Sequence, residues 1–237
     1  MEQDRIWDHF QTTRVDSFDR ARGRYSAIAA EARRRYGRDA GRVLNIGIGP
    51  GRLERLLQDR GWQVSALDPS AAPVAKLTPL GIDARCGYAQ QMPFETASFD
   101  IVIASEVLEH IQPETRAQVL IEITRVLAPG GWFVGSVPHD ENLSEQEVIC
   151  PDCGKIFHRW GHVSSFDLGS LHDELSRVFD LTTCRRLSFV DWKAARSPIR
   201  LAKAMAQSVL GRLGWPVASP SIAFAAQRRG GPSVGTQ

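Results

Sequence analysis

Residues 43–68 read VLNIGIGPGRLERLLQDRGWQVSALD. Val43, Leu44 and Ile46 form an apolar, partly β-branched run that predicts a strand, and the run breaks at a turn containing Gly47, Gly49 and Gly51. Leu53, Leu56 and Leu57 follow at helical spacing, and Gly61 is placed to stop the helix. QVSALD, residues 63–68, then rises as a second apolar strand and ends on the carboxylate of Asp68. Strand, turn, helix and strand make a βαβ unit of a parallel sheet, in which ligands bind where the strands end.

The glycine spacing narrows the ligand. G-x-G-x-G at positions 47, 49 and 51 departs from the dinucleotide fingerprint, whose third glycine would fall at Arg52, and no Gly-Lys-Ser/Thr follows to make a P-loop. Glycines here let the backbone pass close to a ligand without cradling a pyrophosphate. Asp68, at the end of the second strand, can accept hydrogen bonds from both hydroxyls of a ribose. A nucleoside fits both features.

Around this unit lies a chain of 237 residues, 43% hydrophobic and 24% charged, which is enough to bury one substantial core in a single elaborated domain. The formal net charge of +2 is too mild to argue for nucleic acid as a partner. The opening MEQDRIWDHFQ lacks the apolar run of a secretory signal, and no uninterrupted apolar run approaches the roughly 18 residues that span a bilayer, so a cytoplasmic protein is expected. Residues 1–40 read as an N-terminal helical extension with Trp7, Phe10, Phe18, Tyr25 and Ile28 as anchors. The basic cluster EARRRYGR, residues 31–38, reads as a solvated helix face.

Beyond Asp68 the chain keeps the α/β alternation. A short helix over 70–77 precedes a third strand at 82–86, and Phe99 to Ala104 is a continuous apolar strand of the kind covered on both faces. Residues 112–127 read as a helix with Pro113 at its first position, Glu114 at its positive end, and Leu120, Ile123 and Leu127 as its apolar stripe. Pro129-Gly130-Gly131 turns the chain into WFVGSV, a fifth strand at 132–137. Asp167 is placed to cap a further helix, 179–189 and 221–227 read as the sixth and seventh strands, and RRGGPSVGTQ carries too little apolar content to order itself.

Met92-Pro93-Phe94, Ser98-Phe99-Asp100, Val107-Leu108-Glu109-His110 and RVLAPGGWFVGSVP at 125–138 stand in order after the glycine turn. Taken with it, they resemble the S-adenosylmethionine (SAM)-dependent methyltransferases of the Rossmann-like class, without a gap from Val43 to Pro138. The resemblance implies a seven-stranded, mostly parallel α/β sheet with helices on both faces, occupying residues 41–228 before a tail at 229–237. It implies SAM as cofactor, held by Asn45, Gly47, Gly49, Gly51, Asp68, Tyr88, Ala89, Gln90 and Ser105, with N-terminal helices covering it and Arg24 or Tyr25 as further contacts. Two positions depart from the family's pattern. Asn45 stands where an acidic residue is usual before the first glycine, and Tyr88 stands where an acidic residue usually meets the adenine amino group. Both can still form hydrogen bonds, and Tyr88 can pack on adenine.

After the fifth strand comes CPDCGKIFHRWGH, with Cys150, Cys153, His158 and His162 spaced as four ligands for one structural zinc ion in an insertion at 139–163. A redox C-x-x-C is the competing reading. In methyltransferases of this type without the cysteines, a histidine often stands just before the next helix, which gives His162 a packing or substrate-side role as its alternative. Residues 193–215 insert an amphipathic helix before the last strand, with Ile199, Ala202, Met205, Val209 and Leu213 on one side and Arg200, Lys203 and Gln207 on another. It reads as a lid or core-covering helix, with peripheral membrane contact through 198–213 as the alternative.

Methyl transfer from a sulfonium is an in-line displacement, so the protein must align the acceptor and exclude water. A hydroxyl acceptor also needs a base. His110 and His139 follow the ends of the fourth and fifth strands, with His139 favoured because the Glu-His pair at 109–110 accompanies this family whatever its substrate. The layout is similar to small bacterial methyltransferases of cell-surface glycan or secondary metabolism, which implies a sugar or other small-molecule hydroxyl as acceptor. RNA methylation, with the Cys-His segment as an RNA grip, and a non-catalytic SAM- or zinc-binding partner protein are the competing readings.

Overall fold

The computed structural model describes residues 4–13, 21–37, 40–192, 195–215 and 220–230. Phe18, Arg38, the first two residues of the 193–215 segment and the end of the tail lie outside them. In chain order the elements are α1 (Asp4–Thr12), α2 (Arg22–Tyr36), β1 (Arg42–Ile46), α3 (Arg52–Gln58), β2 (Gln63–Asp68), α4 (Ala71–Leu77), β3 (Asp83–Cys86), β4 (Phe99–Ser105) and α5 (Pro113–Val126). They continue with β5 (Leu127–Pro138), β6 (Glu147–Ile149), β7 (Ile156–His158), α6 (Leu168–Leu175), β8 (Phe179–Leu187), α7 (Pro198–Leu213) and β9 (Ser221–Arg228).

Seven strands form one sheet in the order β3-β2-β1-β4-β5-β9-β8. Every pair from β3 to β5 is parallel, and β9 alone runs antiparallel to its neighbours β5 and β8. The chain steps outward from β1 through β2 to β3, then returns to start β4 on the other side of β1. That reversal opens a crevice beyond the ends of β1 and β4, where an open α/β sheet binds its ligands.

The two faces of the sheet bury separate cores, as expected of strands that are apolar on both sides. One face packs Leu44, Val102, Phe133 and Phe224 against α5 and α6 through Leu120, Ile123, Leu171 and Leu175. The other packs Val43, Ala66, Ile101 and Val134 against α2, α3 and α4 through Ile28, Leu53, Leu57 and Leu77. Gly51, with φ of 73°, begins α3, and a Cβ there would lie 2.8 Å from Leu77 Cδ2, so the third glycine serves the turn and the packing beneath it.

Two observations differ from the sequence reading. The insertion after β5 forms a two-stranded antiparallel sheet, β6 with β7, in place of a ligand-knotted loop. In α7 the only buried residues are the small Ala204 and Gly211, and a Cβ on Gly211 would meet Ser188 Oγ at 2.1 Å. The helix therefore approaches β8 by its small-residue side and leaves its apolar side outward, so it does not cover the core.

Candidate functional site: a cavity with a floor and a roof

A cavity of about 1100 Å³ lies at the crevice. Its floor is lined by Asn45, Gly47, Gly49, Asp68, Tyr88, Ala89, Gln90 and Ser105, eight of the nine residues proposed from sequence for the cofactor; Gly51 lies below it. Gly47 takes φ of 83° and Gly49 φ of 55°, a conformation that costs glycine nothing. Glu106 takes φ of 58° without that freedom, and its backbone N–H donates to Ser136 O at 2.8 Å. Its carboxylate accepts from Ser136 Oγ at 2.8 Å and faces Arg24 of α2 at 3.6 Å.

Asp68 is buried, and burial pushes its carboxyl up, opposed by the N–H donors around it. The amides of Ile48 and Ser70 donate to it at 2.8 and 2.9 Å. The Gln11 side chain of α1 donates to Oδ2 at 3.2 Å. One carboxylate thus joins the glycine turn, the start of α4 and the N-terminal helix. Lys76 Nζ donating to Gln11 O at 2.9 Å and a Ser70–Asp8 hydrogen bond hold α1 in place.

Asn45 has a local explanation. Its amide donates to Glu54 Oε1 at 2.6 Å and to Gly47 O at 3.0 Å. Glu54 is fully buried on α3, and desolvation pushes its carboxyl up to about 7. An acidic residue at position 45 would set two buried carboxylates against each other, whereas the amide supplies a donor.

The roof comes from segments outside this frame. Trp7 and Phe10 of α1 and Trp160 after β7 line the cavity, with the Phe10 and Trp160 rings 4.7 Å apart. Trp7 Nε1 donates to His110 Nδ1 at 3.3 Å. The same nitrogen lies 3.2 Å from Gly161 O, which can only accept, so Trp7 and Gly161 compete for His110 Nδ1 and favour opposite tautomers of the ring. Burial, reinforced by His162 and His158, lowers His110 to about 3, so it stands as a neutral imidazole too weak to serve as a base near neutral pH. His139 is not among the lining residues: antiparallel β9 runs beside the end of β5, and Pro220 O accepts the His139 N–H at 3.1 Å.

Glu141, which the sequence reading did not single out, joins His158 and His162 in a group whose ligand atoms lie within 4.8 Å of one another, and Glu109, His110 and His162 form a second such group. The His158 and His162 rings stack at 4.6 Å, and His162 meets His110 edge-on at 4.7 Å. His158 is buried, and its Nδ1 accepts the backbone N–H groups of His162 at 3.1 Å and Trp160 at 3.4 Å. Its Nε2 must then carry the proton of the neutral ring; it points at Glu141 Oε1, 3.6 Å away, and has no lone pair to offer an ion. Glu141 is hydrogen-bonded to His162 Nδ1. That bond leaves His162 Nε2 as the nitrogen with a lone pair, whereas His158 Nε2, though buried, has no hydrogen-bond partner among the described residues.

Cys150 and Cys153 also line the cavity, but the structure does not bring them to the histidines. Among the described residues, no group of three or more close ligand atoms includes a cysteine. The cause is hairpin register. Glu147 pairs with His158 and Ile149 with Ile156, so the thiols occupy the turn and His158 the opposite end, roughly 10 Å along the strands. At the turn, backbone amides of Cys153 and Asp152 lower the Cys150 thiol. The closed four-ligand arrangement expected from the spacing is not assembled among the described residues.

The open α/β sheet with a cavity at its switch point defines the fold class, and part of the chain resembles known proteins of that class. Residues 44–135, which carry the floor of the cavity, match the family model described as a methyltransferase domain. An uncharacterized methyltransferase of Staphylococcus carnosus is 34% identical over 93 residues, 38% of this chain and 44% of that protein. Trans-aconitate 2-methyltransferase of Mycobacterium tuberculosis is 36% identical over 101 residues, 42% of this chain and 38% of that protein. The matched stretch thus spans about two-fifths of these relatives.

Among solved structures, the 1,6-didemethyltoxoflavin-N1-methyltransferase of Burkholderia thailandensis, with its substrate and S-adenosylhomocysteine bound, superposes with a TM-score of 0.67. It is 18% identical, over 95% of this chain and 86% of that one. The cyclase SpnF superposes at 0.58 with 21% identity, over 86% and 82% of the two chains. These likenesses establish the fold; the chemistry must be argued from the cavity.

Proposed function

We propose that the chain binds SAM on the floor of the cavity and transfers its methyl group to a small molecule under the roof, at a hydroxyl of a sugar or similar acceptor. The observation that carries this reading is one continuous cavity that runs from Asp68 and the glycine turn to His162 and Glu141. Its volume, about 1100 Å³, lies at the upper end of the roughly 300–1000 Å³ usual for ligand sites. On this reading Gly47 and Gly49 admit the nucleoside, Asp68 takes the ribose, and Tyr88 with Ala89 and Gln90 flanks the adenine.

His162 takes the acceptor's proton in place of His139 and His110. Its Nδ1 is engaged by Glu141, which acts as a positioning residue. With a neutral leaving group, the remaining work is alignment and exclusion of water by Trp7, Phe10 and Trp160. The same roof argues against RNA, which needs an open basic groove with stacking platforms. Titration calorimetry with SAM, followed by labelling of small-molecule, glycolipid and RNA fractions with methyl-labelled SAM, tests the proposal. SAM binding with label in the small-molecule fraction is expected. Absence of SAM binding would overturn the cofactor assignment, and label in RNA alone would overturn the acceptor.

A further inference from the structure

We propose that α7 is a membrane-surface anchor, lying with its outward apolar side in the headgroup region of an anionic bilayer. Ile199 is 84% exposed, Met205 57%, Val209 55% and Leu213 60%, in a helix whose buried residues are Ala204 and Gly211. At 100° per residue, Ala202, Met205, Ala206, Val209 and Leu213 fall within about 100° of one another, on the side opposite Ala204 and Gly211. A helix that serves its own core is oriented the other way, with its apolar stripe inward.

Three further features fit a bilayer. Residues 195–215 contain Arg196, Arg200, Lys203 and Arg212 and no acidic residue, which complements anionic headgroups. Lys203 and Arg212 flank the apolar arc on its two sides, where long basic chains reach from an apolar boundary toward headgroups. Trp192 and Trp215, on either side of the helix in sequence, are 53% and 57% exposed, and indoles favour the membrane interface.

A second copy of the chain fits less well. A 16-residue helix is about 24 Å long and 10 Å across, so its stripe offers a few hundred Å² against the roughly 800 Å² each partner gives to a stable interface. The lid reading also fails to account for the face, because no residue of α7 lines the cavity. No described helix is long and apolar enough to cross a membrane, so attachment would be to the surface.

The full chain should co-sediment with vesicles of phosphatidylcholine and phosphatidylglycerol at low salt and bind pure phosphatidylcholine at least tenfold less. Raising salt to about 0.5 M should release most of it, because the charge attraction is screened. The double substitution Met205→Asp/Val209→Asp falls on two exposed side chains outside the cavity, so it should cut vesicle binding at least tenfold while SAM affinity and thermal unfolding stay close to those of the wild type. Two results would overturn the proposal: no binding to anionic vesicles at low salt, or a stable dimer by light scattering that the same double substitution splits.

Discussion

The floor and the roof of the cavity are built by different means. The floor, within 44–135, comes from short-range rules: a β-branched run, a glycine turn and a carboxylate at a strand end. The roof comes from contacts between segments far apart in the chain. Trp7 meets His110 across 103 positions, and Phe10 meets Trp160. The family match covers the floor and leaves out Trp7, Phe10 and Trp160. On the proposed reading this contrast separates what a common cofactor demands from what one acceptor demands.

The sharpest way to break that division is at His162. His162→Ala should lower kcat about 10²–10⁴-fold, the usual worth of a positioned base, with SAM affinity unchanged. A parallel loss of SAM affinity would mean that floor and roof are not separable. Glu141→Gln should reproduce part of the loss in kcat with the acceptor KM nearly constant, as expected of a residue acting through its neighbour.

The next effect concerns the floor's own stability. Glu54 has its folded value raised to about 7 from an ordinary 4.5, so between these values the folded state holds a proton that the unfolded state has released. Its contribution is therefore present below about pH 4.5 and lost as pH rises through about 7, by roughly 3 kcal/mol in all. Denaturant unfolding of wild type and Glu54→Gln across pH 5–8 measures it: the difference between the two should shift in favour of the variant as pH rises. A pH-independent difference would show that Glu54 stays ionised in the fold.

Asp68→Ala should weaken SAM binding about 10–100-fold through the loss of charge-assisted hydrogen bonds, read by calorimetry. Unchanged affinity would remove Asp68 from the cofactor site. The smallest effect is expected at the hairpin turn. With only two thiols preorganised, zinc should be removed by brief chelator treatment without altering SAM affinity, in wild type as in Cys150→Ser/Cys153→Ser. One equivalent retained through the chelator would require a different hairpin register, one that delivers His158 to the cysteines.

Most of the sheet was legible because each strand and helix between Val43 and Pro138 carries its own period and its own stop. Asn45 was legible only as a departure; its reason, Glu54 nine positions on, needed the geometry of α3 against β1. The four-ligand arrangement was not legible because linear spacing says nothing of pairing, and Glu147 opposite His158 sets the histidine away from the thiols. Glu141 had no local signal, and the apolar stripe of α7 was visible while its direction was not. Direction is set by the partner strand, where Gly211 lets the helix settle onto Ser188.

Gln11 and Trp7 lie four residues apart on α1, one helical turn, yet one donates to Asp68 and the other to His110. A nine-residue helix moves as a unit, so a ribose that displaces Gln11 also shifts the indole over the acceptor's pocket. The two ligands are then thermodynamically linked, and each must change the other's affinity by the same factor. Titrating SAM with and without saturating acceptor, then acceptor with and without S-adenosylhomocysteine, should give a factor different from one in the first experiment. Independent binding in both would show that α1 yields at one end without moving at the other.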